Sequence, residues 1–438
     1  MSKLQTPFRY DFVGSFLRPQ ALKDAKAAYR DGKITKEEFD KVVNEEITKV
    51  VAKQKELGFH AITDGEFRRT FWHLDFMWGL DGVAHENTGN GVKFDAELAV
   101  LDDTYLVGKI KAKAHPFVEY FKFLKQFEDE NTVAKYTIPA PAQTFQQMIV
   151  PDNIANTRKF YPTNEELIQD IGKAYQDVIK QFYDAGCRNL QLDDCTWGAI
   201  VGDAAKQRYR SLGISLEDVK NELLAVNNLA LERKPEDMVI TSHICRGNYH
   251  STFFTSGPYD TVADYVFANE NVDALFLEYD DERSGGFAPL AKVSENKKVV
   301  LGLITTKSPV LEDKEKVIAR IHEAAKYVPL DRLCLSPQCG FASCEIGNKL
   351  TEEEQWAKLR LVKEVAGTLI VSDHNTYQKN RQGHAMCPCF LEVGNRLFHF
   401  RRQAIIYLWL LCLIFLSVYL TDFELYLEKG EEGTWRHC

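Results

Sequence analysis

The sequence predicts an α/β protein built as an eight-stranded (β/α)8 barrel, and three observations lead there. Short β-rich runs alternate with longer helical patterns from residue 8 to about residue 366. Eight such strand runs can be counted, which is the number of a closed parallel barrel. Nearly every run ends in a polar or metal-capable residue, and in a barrel of this kind the working side chains stand at the carboxyl ends of the strands. A chain of 438 residues accommodates one such barrel with insertions.

The elements follow in order. Residues 8–15 form the first apolar run and 21–30 a helix. A longer helix is predicted over 36–57, where Phe39, Val42, Val43, Ile47, Val50 and Val51 recur at helical spacing. Residues 60–63 make the second strand, ending in Asp64-Gly65-Glu66. The rhythm breaks over 71–131, where the turn-rich Glu86-Asn87-Thr88-Gly89-Asn90-Gly91 lies between β-like residues and an aromatic helix follows at 116–127; this reads as an insertion, a hairpin over the strand ends. Strand three is 135–138, followed by a helix over 164–185 with Leu167, Ile168, Ile171, Tyr175, Val178, Ile179 and Phe182 on one face. Strands four to eight are 189–192, 238–242, 274–277, 298–303 and 333–336, with helices at 215–231, 261–268, 313–327 and 352–365. The barrel thus spans 1–366, and 367–438 is an atypical tail. Within that tail, 404–420 is an apolar run of 17 residues preceded by Arg401-Arg402, at the lower limit for a membrane helix of about 17 residues.

Hydrophobic residues make up 45% and charged residues 27%, the balance of a soluble globular protein with a core large enough to need no disulfides. The first fifteen residues lack a basic segment followed by an apolar run, so no secretory signal is expected and the ten cysteines are expected to be reduced in a cytoplasmic protein. Clustered Cys and His then point to metal or catalysis. A net charge of −9 argues against nucleic acid as a partner. Membrane contact is expected only through 404–420, as a C-terminal anchor with the arginines on the cytoplasmic side.

The strand ends carry Ser15, Glu66, Asp193 with Asp194, His243 with Cys245, Glu278, Thr305 to Lys307, and Cys339. The sharpest subset is His243-Ile244-Cys245 with Cys339 in Pro337-Gln338-Cys339-Gly340. One imidazole and two thiolates suit Zn²⁺, which takes four N, S or O ligands. Residues two apart in extended chain face the same side, so His243 and Cys245 can share a site, and Glu278 is the obvious fourth ligand. Cys187, Cys195, Cys334 and Cys344 lack such partners and read as structural, and Cys387-Pro388-Cys389 is a weak metal signal.

Val13-Gly14-Ser15-Phe16, Asp64-Gly65-Glu66, Leu192-Asp193-Asp194, His243-x-Cys245, Leu277-Glu278 and Pro337-x-Cys339-Gly340 occur in an order that resembles the C-terminal catalytic barrel of cobalamin-independent methionine synthase, and most closely the short stand-alone members of that family. The resemblance spans about residues 8–366. It implies zinc on His243, Cys245, Glu278 and Cys339, and Ser15, Glu66 and Asp193 as holders of the amino-acid part of homocysteine. Zinc would deprotonate the substrate thiol, and the carboxylates would pair with its ammonium.

Two positions depart from the family pattern. In Gly302-Leu303-Ile304-Thr305-Thr306-Lys307-Ser308-Pro309, Thr305 and Lys307 stand where the full-length enzyme has Asp and His, the latter thought to supply a proton to the leaving folate nitrogen. The pterin-stacking Trp is absent from 139–150, where Phe145 is the only aromatic. By resemblance Lys307 is the candidate catalytic residue. The implied function is methyl transfer from methyltetrahydrofolate or a related donor, such as a methylated corrinoid protein, to the thiol of homocysteine, giving methionine. The alternatives are a zinc-dependent thiol alkyltransferase using another electrophile, and an inactive barrel with a binding role.

Overall fold

The computed structural model describes residues 4–89, 91–94 and 97–383, with side chains described as far as residue 368. The chain divides into two compact units, Met1–Leu369 and Ile370–Cys438.

The first unit is an α/β fold around six parallel strands, in the order Leu333–Pro337, Lys298–Ile304, Ala274–Glu278, Val239–Ile244, Asn189–Asp194, Tyr136–Pro139. Each strand pairs with its neighbour in sequence, for example Leu192↔Ser242 and Phe276↔Val300. Apart from the first residue of two of them, these strands are buried along their whole length, which explains why they read as continuous apolar runs and not as alternating ones. A parallel pair joins Ala61–Ile62 to Val133–Ala134. The first apolar run bonds on both sides: Asp11 N donates to Leu335 O (2.9 Å), Leu335 N to Arg9 O (3.0 Å), and Phe16 N to Gly65 O (3.1 Å).

Inside, Val13, Phe276, Val300 and Cys334 form a small apolar cluster drawn from four different runs, separate from the main core. Beside it lies a fully buried ion pair, Lys135 Nζ to Asp11 Oδ1 at 2.8 Å, with Gln191 Oε1 at 3.3 Å. Helices Gln20–Arg30, Lys36–Glu56, Asn164–Asp184, Leu216–Leu231 and Lys314–Ala324 pack their apolar faces toward the strands. Several begin on a hydroxyl or carboxylate cap: Thr35 with a reciprocal Glu38, Thr163, Ser215 and Asp313.

Residues 71–131 hold a short helix, Leu74–Met77, and two antiparallel pairs, Asp81–Glu86 with Asp103–Lys111 and Gly91–Lys93 with Leu98–Val100, before the helix Pro116–Lys125. Asp103–Lys111 buries Thr104, Leu106 and Ile110 and leaves Val107, Lys109 and Lys111 exposed, the pattern of a strand with one face on the core. The final helix, Glu352–Gly383, outruns the expected end at residue 365. Within this helix Gly367 is the one glycine before Gly383 and there is no proline; an interior glycine costs only about 1 kcal/mol, too little to end a helix. The apolar run 404–420 and Cys387-Pro388-Cys389 lie outside the described residues. Among the described residues no helix is long and apolar enough to cross a membrane.

Candidate metal centre and its cavity

Three strand ends bring His243, Cys245, Glu278 and Cys339 together, all buried, with one ligand atom of each within 4.8 Å of the others. The two thiols are 3.8 Å apart. Each is positioned by the backbone. Val239–Ile244 runs into Cys245, whose N–H donates to Asp194 O on the adjacent strand (2.9 Å). Glu278 ends its own strand and accepts from Arg246 N through Oε1 (3.1 Å). Cys339 follows Leu333–Pro337 and precedes Gly340, where a Cβ would come within 1.9 Å of Ser15 Oγ, so only glycine lets this turn close on the first strand.

Without a metal this set is electrostatically unsettled. The Cys245 thiol is pushed well up by its hydrogen bond to Cys195 together with burial, and the Cys339 thiol is pushed up by its hydrogen bond to Cys245 and by burial. Buried neutral thiols beside a carboxylate gain little from each other, whereas a divalent cation would accept two thiolates, an imidazole and a carboxylate in a tetrahedron. The donor set therefore fits a metal of the zinc type.

Cys195 had no visible partner in the sequence. The structure places it against Cys245 and in the cavity wall, because the Asp194 carboxylate caps the turn at Thr196 (2.7 Å to its N–H) and brings the preceding thiol round to the strand end. The same turn separates the two aspartates. Asp194 Oδ2 accepts from Asn227 (3.0 Å), away from the cavity, while Asp193 lines it.

A cavity opens onto the cluster. Its polar wall includes Ser15, Glu66 and Asp193, so all three expected substrate holders face it. Glu66 is the most constrained of them. It sits at φ 62°, directly after Gly65 at φ 67°, in the left-handed region that a side-chain-bearing residue seldom occupies outside functional sites. Its Oε1 accepts from Thr137 Oγ1 (2.8 Å) and faces Arg69 at 3.2 Å, and its Oε2 is buried with no hydrogen-bond partner. Burial raises the Glu66 carboxyl above the ordinary carboxylate range; Arg69 opposes this and Asp193 adds to it. Asp193 also serves the metal cluster. Its Oδ1 faces His243 Nδ1 at 3.1 Å and accepts from Gln191 (2.8 Å), an arrangement that orients a ligating imidazole. The Ser15 hydroxyl accepts from Ala342 N (3.3 Å), tying the first strand to the Cys339 loop.

Two arginines behind Glu66 were not apparent in the sequence. Arg69 lies over the Phe117 ring and bonds Thr137 O, and Arg18 donates to Glu66 O (2.8 Å) and Ala342 O (2.9 Å). Arg-Arg after Asp64-Gly65-Glu66 looks like a solvated pair; only the packing shows that Arg69 is 2% exposed.

Lys307 is not among the residues lining this cavity. Its Nζ pairs with Asp280 at 2.5 Å, Asp280 pairs with Arg283 at 2.9 Å, and Arg283 reaches Glu278 Oε2 at 3.2 Å. The buried Asp280 carboxylate holds the lysine in this chain of charges. Phe145 is fully buried in the core and faces no ligand space. Aromatic surface in the cavity comes instead from Trp72, Phe94 and Tyr249, with His73 beside Trp72.

The sequence matches the family described as "Cobalamin-independent synthase, Catalytic domain" over residues 10–368. It is 45% identical over 363 residues to the uncharacterized protein YxjH of Bacillus subtilis, covering 83% of this chain and 94% of the relative. A methionine synthase of Saccharolobus solfataricus is 23% identical over 379 residues, covering 85% of this chain and 96% of that one. A solved structure from Listeria monocytogenes, of a candidate vitamin-B12-independent methionine synthase, superposes with a TM-score of 0.66 at 40% identity, covering 84% of this chain and 99% of that one.

Proposed function

Given that the chain belongs to the cobalamin-independent synthase family, we propose that it is a zinc-dependent methyltransferase that moves a methyl group from methyltetrahydrofolate, or a related donor, to the sulfur of homocysteine. One observation carries the reading: a tight His, Cys, Glu, Cys cluster shares a cavity with a buried carboxylate oxygen that has no partner. The cluster provides a place for the thiol and the carboxylate a place for its ammonium.

His243, Cys245, Glu278 and Cys339 would hold the zinc, which when bound supplies a Lewis acid that makes a thiol deprotonate at neutral pH. Asp193 orients His243, and Arg283 holds Glu278. Glu66 receives the ammonium through Oε2, and Arg69 and Thr137 keep its other oxygen in place. Ser15 borders the same space. The proton lost by the thiol leaves to solvent.

The parallel runs are proposed to close as a (β/α)8 barrel. What supports this is the first run, which bonds both to Leu335 and to Gly65, together with the interior cluster shared by four runs. The catalytic unit is then 1–366 with the insertion 71–131, and a reducing, cytoplasmic setting suits its free thiols. A protein ending at Gly383 is expected to stay folded and metal-loaded, checked by circular dichroism and metal content; loss of either assigns 384–438 a part in the fold.

Lys307 enters as the outer member of the Asp280–Arg283–Glu278 chain. Lys307→Met is expected to lower the melting temperature while metal content and homocysteine binding stay unchanged, since removing one partner of a buried pair costs on the order of 3 kcal/mol. Turnover abolished with stability and binding intact would instead identify the lysine as the acid.

The deciding assay is methionine formation from homocysteine with methyltetrahydrofolate and with a methylated corrinoid, side by side, with zinc measured on the same sample. Transfer from either donor supports a methyltransferase. Transfer from neither, with the metal present, favours another electrophile.

A further inference from the structure

Trp72 and His73 follow the Glu66 loop into the wall of the same cavity, where Trp72 N donates to Ser343 O at 3.1 Å. Their rings stack with centroids 4.5 Å apart at 30°. His73 is 7% exposed, and neither ring nitrogen has a hydrogen-bond partner among the described residues; Nδ1 is fully enclosed. The other buried histidines are satisfied. His243 faces Asp193 and Gln338 O, and His115 faces Phe76 O and accepts from Phe117 N. A buried polar group without a partner is unfavourable, and one kept in a cavity wall points to a ligand that completes it.

The aromatic surface around it says what kind of ligand. Trp72 presents a large ring, and Phe94 and Tyr249, 5.3 Å apart, add two more to the cavity. Flat aromatic walls select a flat ring system.

We propose that His73, backed by Trp72, is the hydrogen-bond donor to the leaving nitrogen of an N-methylated planar heterocycle during methyl transfer. This rests on the function proposed above and names the group that serves its donor half. The S–CH3 bond forms as the N–CH3 bond breaks, and the electron pair of the broken bond stays on the ring nitrogen. That nitrogen takes its proton from solvent, with the imidazole N–H as the hydrogen-bond donor to it while charge develops, and the thiol proton leaves to solvent. The net change is thiol plus methylamine to thioether plus secondary amine. Burial pushes the His73 imidazole down to about 3, so at pH 7 it works as a neutral N–H donor to developing negative charge and not as an imidazolium. Lys307, held by Asp280, does not compete for this role.

The test compares native protein, His73→Phe and His73→Gln with two methyl sources. Methyltetrahydrofolate has an amine leaving group that must be protonated; methyl iodide releases iodide, which need not be. His73→Phe is expected to lower kcat with methyltetrahydrofolate by about 100-fold, the effect of losing one donor to a developing anion. The rate with methyl iodide and the KM for homocysteine stay at native values. His73→Gln, which keeps an N–H, recovers part of the loss, and Trp72→Leu raises the KM for the folate alone. Equal losses with both methyl sources, or a loss with neither, overturn the role of His73. Native protein that uses methyl iodide but not methyltetrahydrofolate overturns it too, while leaving thiol alkylation standing. Native protein that methylates homocysteine with neither defeats the functional reading itself.

Discussion

Replacing Cys339 with serine is expected to remove most of the bound zinc and with it methyl transfer to homocysteine. The native protein should carry about one zinc per chain, in keeping with a four-ligand site of two thiolates, an imidazole and a carboxylate. Cys339 is 3% exposed, its sulfur is 3.8 Å from that of Cys245, and the Gly340 turn that presents it closes tightly on Ser15. A serine hydroxyl is not deprotonated as a thiol is, so the variant loses both a charge and a soft donor. Metal content by mass spectrometry on purified protein gives the answer, with circular dichroism confirming the fold. Cys195→Ser is the matched control: it removes a thiol that touches Cys245 but lies outside the four-residue cluster, and it should keep its zinc. Full zinc in Cys339→Ser would exclude the site, and loss of zinc in Cys195→Ser would make that thiol a ligand.

Glu66→Gln is expected to cut kcat/KM for homocysteine by roughly 100- to 4,000-fold while barely changing the rate with a thiol that lacks the amino group. Uncoupling one member of a buried charge pair costs on the order of 3–5 kcal/mol, and each 1.4 kcal/mol is a factor of ten. Glu66 Oε2 is buried and unpartnered, which leaves it open to the ammonium of the proposed substrate. The two thiols must be compared within one variant, because Gln could also disturb Arg69. An equal loss with both would assign Glu66 to the architecture of the loop. The sign of the pH dependence follows from the raised carboxyl. Only the ionised form pairs with an ammonium, so homocysteine affinity should fall on acidification sooner than for an ordinary carboxylate. In Glu66→Gln this acid limb should vanish.

Much of this architecture was legible along the chain. The strands of the six-stranded sheet fell within three residues of their expected bounds, because parallel strands buried on both faces are written as short unbroken apolar runs with turn residues between them. His243, Cys245, Glu278 and Cys339 stood out because each follows such a run, and residues at equivalent strand ends meet however far apart they are in sequence. The insertion was visible as a break in rhythm.

Other features depended on contacts between distant segments, and no local pattern encodes those. Arg69 carries no sign in the sequence of being enclosed behind Glu66, and Lys307, which the resemblance sets at a catalytic position, pairs with Asp280 on another segment. Cys195 appeared structural until the Asp194 turn set it against Cys245, and the strand's two-residue period turns Asp193 and Asp194 to opposite sides. Trp72 and His73 lay in what read as the start of an insertion. The chain alone determined which chemistry can gather at the strand ends, since that follows from side-chain type and strand order. Only the tertiary structure decided which neighbours complete each group, because burial and hydrogen-bond partners are set by how the segments pack.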